Sequence, residues 1–187
     1  MKMHLAKSTA LAFLGASSLG TAVRLPGING EYFKQYANGN GANVYIRNSY
    51  HDGLDAHSKR FYETYHNDTK KFEICAETNF VDTYTTDGAL GADCSDIMEE
   101  LEANPGYFET GDYVGSDYNY LAVCGTCAFG VYRLDGSNAE VNIGSKDVVD
   151  NIYSALNRFQ RNGHVGAKGN FTCGDSIPIS WAILKAT

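Results

Sequence analysis

The firmest helical pattern begins near Ser145, where Val148, Ile152, Ala155, Leu156 and Phe159 recur on one face, with Asp147 in its first turn and Asn162-Gly163 as its end. A second run, Cys94, Ile97, Met98 and Leu101 at i, i+3, i+4, i+7, predicts another helix with Asp93 as N-cap and Asn104-Pro105-Gly106 as its stop. Between and after them, YFETGDYV, YNYLAVCGTCAFGVYRL, AEVNIG, HVGAKGNFTC and IPISWAILKA alternate or concentrate β-formers. Gly115-Ser116 separates two of these stretches, and Asp135-Gly136-Ser137 reads as a hairpin turn. The order β, α, β, β, β, α, β, β with short turns predicts α+β: a small two-layer α/β sandwich, an antiparallel or mixed sheet covered by two helices. Trp181 shares a strand face with Ile179 and Ile183 and belongs in its core.

These patterns fall within residues 72–187, the predicted domain. Residues 23–71, rich in Gly, Asn, Tyr and charge, sustain neither period and are predicted to be a loosely ordered extension. A pro-segment, or a strand packed on the domain, suits the same composition. In residues 1–22, Lys2 and Lys7 precede an apolar run over 11–19 and then Gly20 and Ala22, the grammar of a signal peptide cleaved after Gly20 or Ala22. The run is shorter than the ~20 residues a membrane-spanning helix needs, and no other segment is apolar enough to cross. Export also fits two glycosylation sequons, Asn67-Asp68-Thr69 and Asn170-Phe171-Thr172. Asn170 alternates away from Phe171 and Cys173 and should face solvent. Lys59-Arg60 and Lys70-Lys71 are dibasic pairs where a protease could trim, Arg60 being the favoured processing point.

The formal charge of -7, with no basic cluster, argues against nucleic acid or anionic lipid as partner. No catalytic residue is assigned. Asp93, Asp96, Glu99 and Glu100 gather near one helix, and Asp112 and Asp117 flank a turn, but caps and solvated faces account for such carboxylates more often than catalysis does. Tyr113, Tyr118 and Tyr120 could stack on sugar rings, although a tyrosine row more often steadies a sheet face. The glycines of GHVGAKG read as permitting close packing between helix and strand.

CGTCAFGV, over residues 124–131, raises the question of what its two cysteines do. In one extended strand their Cα atoms would lie ~10 Å apart, beyond the ~7 Å limit for a disulfide; a turn at Gly125 would weaken that exclusion. A structural zinc would need a second close pair of ligands, and none of the five histidines supplies one, so no metal or other cofactor is expected. Strand parity sends Cys124 and Cys127 to opposite faces, with Cys127 on the core side beside Phe129 and Val131. Of five cysteines one is left over, and parity selects Cys124 as the free thiol.

Asp93-Cys94, GTCAFGV, VNIGSKDVVDNI, RFQRNGHVGAKGNFTC and ISWAIL together resemble the necrosis-inducing factor family, secreted effectors of plant-associated fungi. The resemblance covers residues 75–184 and implies four framework cysteines at Cys75, Cys94, Cys127 and Cys173, again leaving Cys124. It also implies a disulfide-braced α/β sandwich similar to the killer toxin of a smut-fungus virus. Of the three connectivities, Cys94–Cys127 with Cys75–Cys173 is favoured, the first pinning a helix to a strand and the second joining the domain's ends. The expected protein is a secreted, extracellular effector, without enzymatic activity, that binds an unidentified host protein or cell-surface component. Killer-toxin-like action on competing fungi, through an ion channel or membrane target, is the alternative. A monomer is expected, with Cys124 open to dimer formation.

Overall fold

A computed structural model describes residues 22–23, 32–51, 61–63, 65–110, 117–137 and 140–186. Strands β1 (Ala22–Val23), β2 (Tyr32–Ala37), β3 (Asn43–His51), β4 (Phe61–Glu63), β5 (Tyr65–Asn67), β6 (Val81–Asp82) and β7 (Ala89–Leu90) precede helix α1 (Gly91–Ala103). Strands β8 (Gly106–Glu109), β9 (Asn119–Cys124), β10 (Cys127–Arg133) and β11 (Asn142–Gly144) lead into α2 (Ser145–Phe159), which is followed by β12 (His164–Val165), β13 (Ala167–Cys173) and β14 (Ile177–Lys185). A nine-stranded sheet runs β1-β2-β3-β9-β10-β14-β13-β6, with β4 added to β3; β11-β8-β5 and β12-β7 form smaller sheets. Every pairing is antiparallel. The fold is α+β, with two helices over sheet.

The core follows from the two periodicities. Phe129, Val131, Trp181, Ile183 and Phe171 alternate inward from β10, β14 and β13, and meet Cys94, Ile97 and Leu101 of α1 and Val148, Ile152 and Ala155 of α2. Trp181 is fully buried and lies flat on Phe129, with the edge of Phe80 against it. Its indole N–H donates to Thr78 Oγ1 at 2.6 Å, so burying the ring strands no polar group. Close above it, Gly169 leaves no room for a side chain: a Cβ there would run into the Asn79 carbonyl. Gly166 and Gly169 therefore serve strand packing against residues 79–83, a Cβ on Gly166 meeting the Thr83 carbonyl, more than helix contact.

Three local expectations are overturned. The stretch 119–133 is not one strand but a hairpin, β9 and β10, turning at Gly125-Thr126. Gly125 has φ +49, and a Cβ on it would meet the Asp93 carboxylate at 2.5 Å, so glycine is required on both counts. Asp93 is consequently not an N-cap. The helix starts two residues earlier at Gly91, and Asp93 Oδ2 instead accepts from Thr126 N–H at 2.6 Å and Thr126 O–H at 2.7 Å, clasping the hairpin turn. At Asp135-Gly136-Ser137 there is no hairpin either, since β10 is followed by β11 in another sheet. There Asp135 caps the exit of β10 by taking both the Nε and an Nη donor of Arg133.

Residues 32–51, read from sequence within a loosely ordered extension, form β2 and β3 of the main sheet. Val44 and Ile46 are fully buried beside Cys124 and Ala122 of β9. Asn38 shapes the connecting loop by accepting from Asn40 N–H and Ala42 N–H, and its amide donates to Asp96 of α1. Thus the N-terminal hairpin is stitched both to the sheet and to a helix.

Candidate functional site

The structure joins Cys75 to Cys173 and Cys94 to Cys127. The shorter bridge ties α1 to β10; the longer one encloses both helices and the strands β6, β9, β10 and β13 of the main sheet, its cysteines 98 positions apart. Cys124 is unpaired and buried. Because β9 and β10 form a hairpin, Cys124 is the direct cross-strand partner of Cys127, so the two share a face, contrary to the parity argument. The 10 Å separation falls with it. Cys124 points its thiol toward Asp96 Oδ2 at 4.0 Å, and burial, reinforced by Asp96 and Asp93, pushes its pKa up to about 12. A neutral thiol enclosed in this way is a poor nucleophile. Native protein at pH 8 is expected to leave a thiol-reactive chromophore unreacted for hours, while denaturation without reductant releases one titratable thiol per chain. Rapid native labelling would show Cys124 to be accessible.

The carboxylates near α1 diverge. Asp93 holds the hairpin turn, Asp96 accepts from Asn38, and Glu99 accepts from Asn40 Nδ2 at 2.8 Å. Glu100 is buried against Asn104, whose amide donates to it at 2.5 Å, and desolvation raises its pKa above the ordinary value. These are structural tasks, and no two of the four share an acceptor site. Asp147 behaves similarly: its Oδ2 accepts from Gly144, Ile74 and Cys75 N–H groups, fixing the start of α2 to the segment that carries the longer bridge. Among the described residues no group of His, Cys, Asp and Glu is arranged to hold a metal ion. Asp117 is exposed, whereas Asp112 and Tyr113 lie outside the described residues.

The face of the main sheet away from the helices presents a different chemistry. Tyr118 and Tyr132 meet edge to face with centroids 4.9 Å apart, and the Tyr118 hydroxyl lies 3.3 Å from Ser180 Oγ. They flank a shallow groove of about 280 Å³ whose rim includes Lys168, Asn170 and two large apolar side chains, Val81 and Leu134, that are half exposed. Tyr120 packs instead toward buried Phe33, Val123 and Ala128. Apolar side chains left open on a rigid sheet are the usual raw material of a contact surface. The signal that could have found this surface was the outward register of β10 and β13, which was hidden while 119–133 was read as a single strand.

Asn67 and Asn170 are both exposed, as are Thr69 and Thr172 of their sequons. Ala22 opens β1, paired with Lys34, and Arg60 and residues 1–21, where the signal peptide was expected, lie outside the described residues. Among the described residues no helix is long and apolar enough to cross a membrane.

Residues 74–173 match the family model Hce2, described as "pathogen effector; putative necrosis-inducing factor". The matched span opens one residue before Cys75 and ends on Cys173, so it coincides with the loop closed by the longer bridge. A Penicillium expansum protein named probable chitinase LysM18 is 32% identical over 114 residues, which cover 58% of this chain and 8% of that protein.

Proposed function

The chain belongs to this family of pathogen effectors, and from that premise we propose that it is a secreted virulence factor that binds a plant component outside or at the host cell and provokes necrosis or alters immunity. The observation that carries the reading is the coincidence of the family span with the bridged domain, since cross-links of this kind suit a small domain that must persist in an oxidising exterior. Affinity comes from surface contact, and no bond is broken. The contact surface is the outer sheet face around Val81, Leu134 and the Tyr118–Tyr132 pair. Cleavage of the leader after Gly20 would keep β1 whole, and Asn67 and Asn170 would carry glycans.

A second reading draws support from the Penicillium expansum relative, whose printed name is that of a chitinase. Chitin is a fungal wall polymer, so a domain similar to part of such a protein suits killer-toxin-like action on competing fungi. Infiltration of purified protein into leaves of several genotypes should produce local cell death or defence activation. Changing Val81 and Leu134 together to aspartate should weaken that response at least about tenfold without lowering the melting temperature. No leaf response in any genotype, with inhibition of fungal growth, would favour the second reading; sugars released from chitin by the pure protein would overturn both binding readings.

A further inference from the structure

Asn170 heads one of the two glycosylation sequons and also lines the groove beside the Tyr118–Tyr132 pair. Its place there is set by register. On the outer face of the main sheet Asn170 of β13 lies opposite Ser180 of β14, and Ser180 lies opposite Tyr132 of β10. Three neighbouring strands therefore put Asn170 and Tyr132 two spacings apart, roughly 10 Å at about 4.8 Å per strand. The residue between them is a serine. A side chain that small leaves a gap one strand wide, walled on one side by the tyrosine rings and entered on the other from Asn170.

The attachment point is fixed. The Asn170 N–H donates to Asn79 Oδ1 at 2.8 Å, and the Asn170 carbonyl accepts from Thr78 Oγ1 at 3.1 Å and from Asn79 N–H at 3.2 Å. The Asn170 side chain itself is exposed, as is Thr172, the third residue of the sequon. Among the described residues the groove's lining holds one cation, Lys168, and no carboxylate, which suits a neutral guest better than an ionic one.

We propose that the groove is occupied by the chain's own glycan: the innermost N-acetylglucosamine on Asn170 folds back over Ser180 and lays its C–H face on Tyr118 and Tyr132. Aromatic rings take the apolar face of a sugar, while the hydroxyls at its edge meet Ser180, Lys168 and water. Val81 and Leu134, each about half exposed, give the acetyl methyl an apolar margin. Tethering makes a weak contact sufficient. Covalent attachment holds the sugar at an effective concentration in the millimolar range, so an affinity too low to detect with free sugar still fills the site. At about 280 Å³ the groove takes one sugar unit and leaves the rest of the glycan in solvent. This inference rests on the export reading above and deepens it, because the proposed host-contact face becomes a sugar flanked by Val81 and Leu134.

The test uses the full chain secreted from a eukaryotic expression host. Peptide mapping should find a glycan on Asn170. With Asn67 changed to glutamine so that one glycan remains, Thr172→Val, which removes the sequon but keeps Asn170 and a β-former, should melt about 2 to 4 °C below the glycosylated form, and Asn170→Gln should fall equally. Enzymatic trimming to the single innermost sugar should leave the melting temperature unchanged. Tyr132→Ser should erase the difference between glycosylated and unglycosylated forms, a comparison made within one variant so that any loss from the ring itself cancels. Equal melting with and without the glycan, a fall on trimming, or a difference that survives Tyr132→Ser would overturn the proposal. So would an unmodified Asn170: with Asn67 glycosylated the export reading would stand and this inference alone would fail, whereas two bare sequons would remove both.

Discussion

Replacing Cys75 and Cys173 together by alanine is expected to lower the stability of the protein by about 4 to 5 kcal/mol, the chain-entropy value for a loop of roughly a hundred residues. The bridge closes across 98 positions and connects the segment leading into α1 with the end of β13, so its loss frees both margins of the domain at once. Against total stabilities of about 5 to 15 kcal/mol, that is a large fraction. The Cys94–Cys127 bridge, with 33 positions between its cysteines, should be worth about 1 kcal/mol less by the same model. Urea unfolding of the two double variants beside the parent measures both quantities. An unchanged midpoint for the Cys75/Cys173 variant would mean that packing alone holds the margins.

A chain cut back to residues 72–187 is expected not to fold. It would lose β2 and β3, baring the unpaired backbone of β9 along the edge of a sheet whose next strands hold Cys127 and Phe129. Val44 and Ile46 alone contribute roughly 1.5 to 3 kcal/mol each through burial, and the clasp from Asn38 to Asp96 goes with them. An exposed edge of this kind also invites aggregation. Circular dichroism and a thermal melt of the shortened chain decide the matter. A cooperative melt would show the N-terminal hairpin to be dispensable, as a removable pro-segment should be.

How much of this was legible in the sequence differs from element to element, for physical reasons. The helix α2 was plain because Val148, Ile152 and Ala155 face a core while Asp150, Tyr153 and Asn157 face water, and a one-sided environment writes a clean period. The N-terminal hairpin was obscured by its composition, since only Val44 and Ile46 alternate clearly in β3. Yet Asn38-Gly39-Asn40-Gly41 between two tyrosine-rich stretches is a strong turn signal and could have revealed it. Gly125-Thr126 was harder: cysteines and apolar residues continue through the turn on both sides, so hydrophobicity gives no punctuation, and the residue that stabilises it, Asp93, is 33 positions away from Thr126.

The placement of Cys124 across from Cys127 also bears on how the correct bridges persist. In an unfolded chain that thiol has ordinary acidity and can attack a neighbouring disulfide, so pairings can be shuffled while the chain searches. Once β9 and β10 close and Asp96 lies alongside, a pKa of about 12 leaves on the order of one molecule in ten thousand ionised at pH 8. Folding therefore silences the one sulfur able to scramble the finished cross-links, and the native pairing becomes a kinetic end point as well as a thermodynamic one.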